Sequence, residues 1–109
     1  VYTSASKSSL IGMSNAALAE VRAATEAHAL HLARAAKERL EAGWGIGETG
    51  AAGPTGNRYG DPAGHSAIAL DGPTSCALTL RTGSADRVAN MDAFARRALE
   101  LLAEALSTN

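Results

Sequence analysis

Four groups of residues have types and spacings that bear on chemistry. Ser4-Ala5-Ser6-Lys7 has the S-x-x-K spacing of penicillin-recognising enzymes, and Arg81-Thr82-Gly83 loosely echoes their K-T-G. A serine-rich stretch produces that match by chance, and 109 residues are far too few for that fold. His28 and His31 lie three residues apart, close enough on a helix to share a metal ion, but no third ligand stands at a suitable spacing. Both are expected on a solvent-facing helix surface, with no metal assigned, and His65 reads equally as structural or functional. "GIGETG" at 45–50 matches G-x-G-x-x-G, yet the dinucleotide fingerprint needs a strand before it and a helix opening on its last glycine. Here a helix precedes and Ala-Ala-Gly-Pro follows, so no dinucleotide cofactor is expected.

The fourth group is "GETGAAGPTGNRYGDPAGH", residues 47–65, which holds six of the eleven glycines. So much backbone freedom reads as a loop, and such loops are commonly inert surface connections. This one leaves the end of a strand, where α/β sheets gather ligand groups, and its small residues let backbone N–H groups approach a ligand. A pocket is the expected use.

The elements that must position these groups follow from periodicity. Val1–Thr3 reads as the end of a buried strand, and "SNAALAEV" as a short helix capped by Ser14 or Asn15. Thr25 caps the next helix, whose apolar stripe is Ala29, Leu32, Ala33, Ala36 and Leu40 and whose end is Gly43. "WGIGE" is a short strand. "HSAIAL" and "TSCALTLR" form an antiparallel hairpin about Asp71-Gly72, and the second strand has one face more buried than the other. From a cap at Ser84, Val88, Met91, Ala95, Ala98, Leu102 and Ala105 mark a long final helix, with Arg96, Arg97 and the glutamates on its wet face. A helical crossover joins parallel neighbours and a hairpin adds antiparallel ones, so the order predicts a single α/β domain over 1–109, a mixed sheet flanked by helices.

Composition limits what such a domain can do. Of the 46% apolar residues, half are Ala, which bury little area each. Burial worth about 25 cal/mol per Å² must offset about 1–2 kcal/mol of backbone entropy per residue, so a thin core predicts a homo-oligomer or further chain. A net charge of −1 with scattered basic residues argues against a nucleic-acid groove. There is neither an apolar run of membrane-spanning length nor a signal segment, so no membrane partner is expected. Cys76 is the only cysteine, which excludes an internal disulfide and points to a reducing, cytoplasmic compartment.

"VYTSASKSSLIGM" followed by "GETGAAGPTGNRYGDPAGH" resembles the C-terminal domain of the CinA family, competence/damage-inducible proteins that include the nicotinamide-nucleotide amidases. The likeness covers nearly the whole chain in order. Its most specific part is T-G-x-A-G-P-x-G at Thr49 to Gly56, supported by Tyr2 and Lys7 ahead of "LIGM". It implies an α/β/α layered domain and metal-independent hydrolysis of nicotinamide mononucleotide to nicotinate mononucleotide and ammonia. It also implies Lys7 as base for a serine nucleophile, Tyr2 as a neighbouring hydrogen-bonding residue and Thr49 as a polar contact at the reacting centre. Gly50, Ala51, Ala52, Gly53, Pro54 and Gly56 would wall the substrate site, and Arg58 or Arg81 would meet a phosphate. The ligand implied is a small pyridine nucleotide.

Three departures stand against that pattern. The family's serine lies in an earlier strand-to-helix segment around A-E-S-x-T-G-G, which has no counterpart here, so the chain reads as lacking its N-terminal part. Where K-P-x-G-T is usual, Asp61-Pro62-Ala63-Gly64-His65 exchanges a cation for an anion. G-D-R is replaced by Gly83-Ser84-Ala85, with Arg81, Arg87 or Arg58 as substitutes. A non-catalytic or differently specific relative that binds a small ligand or acts through assembly is the alternative.

Overall fold

Thr25 begins the first helix of the computed structural model, which describes residues 25–57 and 60–108. The expected strand at Val1–Thr3 and helix at 14–21 lie outside the described residues. Helix α1 spans Glu26–Arg39; the Thr25 hydroxyl accepts from the His28 N–H at 3.2 Å, and Glu26 faces the positive end of the helix dipole. The helix ends earlier than the glycine predicts. Leu40 is its C-cap, Glu41 N–H donates to Glu38 O at 3.3 Å, and Ala42 N–H donates to Lys37 O at 2.9 Å. That pair of bonds is a Schellman closure, and its left-handed residue is Glu41 at φ 51, not Gly43. The buried side is His28, Ala29, Leu32 and Ala33. Leu40, expected on that stripe, is 77% exposed because it belongs to the cap.

Strands β1 (Gly45–Ala51), β2 (His65–Asp71) and β3 (Cys76–Arg81) form a sheet in that order, antiparallel at both joins. Any parallel neighbour would come from outside the described residues. The register pairs Glu48 with Ile68 and Ile68 with Leu78, which sorts the two faces. On one face Ala67, Ala69 and Ala77 meet Ala29 and Leu30 of α1. Gly45 and Gly47 share it: a Cβ on either would run into the carbonyl oxygens of Ala33 and Ala29. Gly45 and Gly47 of "GIGETG" therefore admit the α1 backbone, and β1 runs three residues past the expected end of its strand, through 49–51, into the segment read as a loop.

The opposite face carries larger side chains. Ile68 and Leu70 pack with Leu101 and Ala105 of helix α2, Arg87–Thr108, and Trp44, Ile46 and Leu78 close around them. The result is the α/β/α layering expected, with β2 buried along its whole length. The hairpin from β2 to β3 closes through a connection longer than Asp71-Gly72 alone, with Ser75 Oγ donating to Asp71 Oδ1 at 2.5 Å. In β3, Cys76 is exposed while Leu78 and Leu80 are half-buried.

The final helix starts two residues later than a Ser84 cap predicts. Asp86 Oδ1 accepts from the Ala89 N–H at 3.1 Å, and the Ser84 hydroxyl instead accepts from the Asp86 N–H at 3.1 Å. Only the second half of the expected stripe faces the core: Ala105 is buried and Ala98 and Leu102 pack against the cluster, whereas Val88, Met91 and Ala95 are exposed and Asn90, Phe94 and Leu101 point inward. Arg96 and Arg97 pair with Asp92 and Glu104 at the surface. Among the described residues no helix is long and apolar enough to cross a membrane.

Candidate functional site

Beyond Ala51 the chain leaves the sheet, and the turn it makes is held from several directions. Gly64 N–H donates to Ala51 O at 2.7 Å, Asn90 Nδ2 donates to Ala52 O at 2.8 Å, and an Arg87 guanidinium nitrogen donates to Gly53 O at 3.0 Å. Asn90 is almost wholly buried and also donates to Ser84 O and accepts from Thr82 Oγ1, so one α2 side chain ties together the turns on either side. Gly53 takes φ 108 ahead of a cis bond to Pro54, and a Cβ there would lie 2.6 Å from Ala85 O. These contacts occupy the carbonyls. Among the described residues none accepts from the N–H of Ala52 or Gly53. Ala52 is half-buried and Gly53 buried, and N–H groups left available in a clamped turn are positioned to receive an incoming oxygen.

A cleft of about 420 Å³ opens beside this turn, between β1 and α2. Glu48, Gly50 and Ala52 form its strand wall, and Arg87, Phe94 and Ala98 form much of its helix wall. Glu48 is half-buried, and its Oε1 accepts from Ser66 Oγ at 2.8 Å. Burial pushes the Glu48 carboxyl above its ordinary value, with the Ser66 bond pulling the other way. Alternation along β1 puts Thr49 on the other side of the strand, the α1 side, where its partner across the ladder is Ala67.

The glycine-rich segment has a second anchor. Asn57 Nδ2 donates to Asp61 Oδ2 at 2.9 Å, and Asp61 N–H donates to Asn57 Oδ1 at 3.1 Å. His65 is buried, its Nε2 3.9 Å from Asp61 Oδ1, and its Nδ1 accepts from Arg81 Nε at 3.4 Å. Arg81 thus stands at the end of β3 against His65. His28 is buried on α1, contrary to the exposed position expected for it, while His31 is exposed.

The family model of the CinA C-terminal domain matches residues 1–106. The chain belongs to the CinA C-terminal domain family. A CinA-like protein of Anaeromyxobacter dehalogenans strain 2CP-C is 37% identical over 107 residues, covering 96% of this chain and 26% of that protein. The chain therefore spans about a quarter of the length of the curated CinA relatives it matches. Among solved structures, a competence/damage inducible protein from Agrobacterium tumefaciens superposes with a TM-score of 0.84 at 28% identity, covering 95% of this chain and 64% of that one. A CinA superfamily protein from Escherichia coli gives 0.82 at 28%, covering 92% and 58%.

Of the residues the CinA resemblance singles out, Tyr2, Lys7 and Arg58 lie outside the described residues. Thr49, Gly50 and Ala51 finish β1, and Ala52, Gly53, Pro54 and Gly56 form the turn; Gly50 and Ala52 reach the cleft. Three contributors went unassigned in the sequence. Glu48 closes the short strand "WGIGE" where the glycine-rich segment overlaps it, Asn90 lies beside an apolar stripe, and Ser66 stands in a strand whose pattern rests on its apolar residues. The signal for Glu48 was the alternation of glycines about it, which marks the side facing a helix and leaves the acid on the other.

Proposed function

We propose that the intact protein is a metal-independent amidohydrolase of the nicotinamide-nucleotide amidase type, converting nicotinamide mononucleotide and water to nicotinate mononucleotide and ammonia. The observation that carries this reading is the turn at Ala52 and Gly53, with its carbonyls held and its N–H groups unclaimed among the described residues. When a nucleophile adds to an amide carbonyl, the oxygen gains charge, and each fixed donor placed there is typically worth about 2.7–4 kcal/mol. Lys7 would take the proton from the attacking serine of a separate segment, with Tyr2 beside it and Thr49 at the reacting centre. The Gly50–Gly56 wall would hold the substrate, with Arg58 or Arg81 toward its phosphate. No cofactor is called for. Family membership and the turn's geometry support the reading.

Ammonia release from nicotinamide mononucleotide by the full-length protein tests it. Turnover is expected, and Lys7→Ala should lower kcat by roughly a hundredfold or more with the circular dichroism unchanged. Absence of release, where an active relative releases ammonia under the same conditions, rejects the substrate.

A second reading is favoured by Asp61, which stands where the family commonly has lysine and whose carboxylate is engaged by Asn57. It makes the protein a non-catalytic or differently specific ligand-binding or assembly domain. On that reading Lys7→Ala leaves biological activity unchanged.

A further inference from the structure

The cleft on the α2 face combines features that the amide-hydrolysis reading does not use. Its wall is largely apolar, with Met91, Phe94, Ala95 and Ala98 presented by α2. Two charged side chains of opposite sign interrupt it, Glu48 from the strand and Arg87 from the first turn of the helix. Ser66 satisfies one Glu48 oxygen, and no described residue meets the other. A carboxylate has about four acceptor sites, so most of its capacity is open. Arg87 spends one donor on Gly53 O, and a guanidinium has five. The cleft's size lies within the roughly 300–1,000 Å³ of small-molecule pockets.

We infer that this cleft binds a small dipolar molecule, one whose cationic nitrogen is received by Glu48 and whose anionic group is received by Arg87, joined by an apolar body lying along Phe94 and Ala98. A single cation would be opposed by Arg87 and a single anion by Glu48, so opposite charges in one ligand answer both. The charged pair stands on the opposite side of β1 from Thr49, although Gly50 and Ala52 of the proposed substrate wall also line the cleft, and binding of the probes below is read without amide turnover. Among the described residues, no titratable group apart from Glu48 and Arg87 lines the cleft, and the neutral Ser66 hydroxyl is the polar group bonded to Glu48.

Isothermal titration of the full-length protein tests this with 4-(aminomethyl)benzoate as the rigid dipolar probe, and with benzylamine and benzoate as its halves. The dipolar probe should bind about tenfold more tightly than either half. Glu48→Gln, which keeps a Ser66 partner, should weaken 4-(aminomethyl)benzoate and benzylamine about tenfold and leave benzoate unchanged. Arg87→Gln should do the reverse for the two halves. Because burial raises the Glu48 value, wild-type affinity for the two amines should climb as pH rises through it, and Glu48→Gln should flatten that climb. Equal binding of the dipolar probe by wild type and a folded Glu48→Gln variant overturns the inference. So does a flat wild-type pH profile, or no saturable binding of any probe at millimolar concentration.

Discussion

At the residue scale, two carboxylates carry opposite burdens. Asp71 is nearly buried at the end of β2, where Lys37 Nζ lies 2.7 Å from one oxygen and Arg34 Nε 3.7 Å from the other. The Lys37 contact first, and the Ser75 hydroxyl next, hold Asp71 below its ordinary 3.8. Its contribution to stability is therefore complete above that value and is lost as pH falls through the lower folded one. Glu48 has the reverse sign, because burial raises it above 4.5. Below pH 4.5 it is protonated folded or unfolded and costs nothing; as pH rises through its folded value, charge must be created in the cleft. Glu48→Gln should thus stabilise the fold at neutral pH by an amount that vanishes below about pH 4.5. Asp71→Asn should destabilise at neutral pH, with the gap closing in acid. Urea unfolding across pH, followed by Trp44 fluorescence, checks both. Parallel pH curves for wild type and Glu48→Gln would show that the carboxyl is not strained by burial.

At the element scale, the central contact is α1 lying on β1 at Gly45 and Gly47, where the strand carries no side chain. Gly47 is the tightest point, since a Cβ there would meet the Ala29 carbonyl oxygen and crowd the Ala33 nitrogen. Gly47→Ala should cost about 3 kcal/mol or more, because only backbone movement relieves the overlap. Gly43→Ala, with open space around it, should be neutral or stabilise by up to about 1 kcal/mol. Equal effects, measured by chemical denaturation, would mean that α1 does not seat on the sheet as described. The same comparison explains what was readable beforehand. Thr25 and the His65–Arg81 hairpin follow from local chemistry, a cap and period-two strands, and both stand as expected. The end of α1 did not follow, because a left-handed Glu41 is set by closure bonds rather than by residue preference. Nor did the phase of α2: many of its apolar positions are Ala, so the pattern has little contrast, and its most buried residue is the polar Asn90. The T-G-x-A-G-P run located the turn, while the cleft beside it needed the third dimension.

At the scale of the whole molecule, the core formed among the described residues is thin. The largest fully buried side chains among the described residues are Ile68 and Leu70, with polar His28, Asn90 and Ser66 completing the set. Meanwhile α2 turns an apolar line outward. Val88, Ala95, Leu99 and Leu106 recur at steps of seven, four and seven, which places all four within one narrow sector of a 3.6-residue helix. Val88 is 78% exposed and Leu99 63%. Each buried leucine is worth about 1.5–3 kcal/mol, so a second copy covering this line would add stability comparable to much of what a small domain commands. Self-association through α2 is the expected outcome. Sedimentation at micromolar concentration should show a species larger than one chain, and Leu99→Glu should shift it toward the single chain while leaving helix content intact. The charge acts at a surface position, so a folded variant isolates the interface from the core. A wild-type protein that sediments as a stable single chain, with native circular dichroism, would mean that the exposed line serves no contact between copies and that the thin core suffices alone.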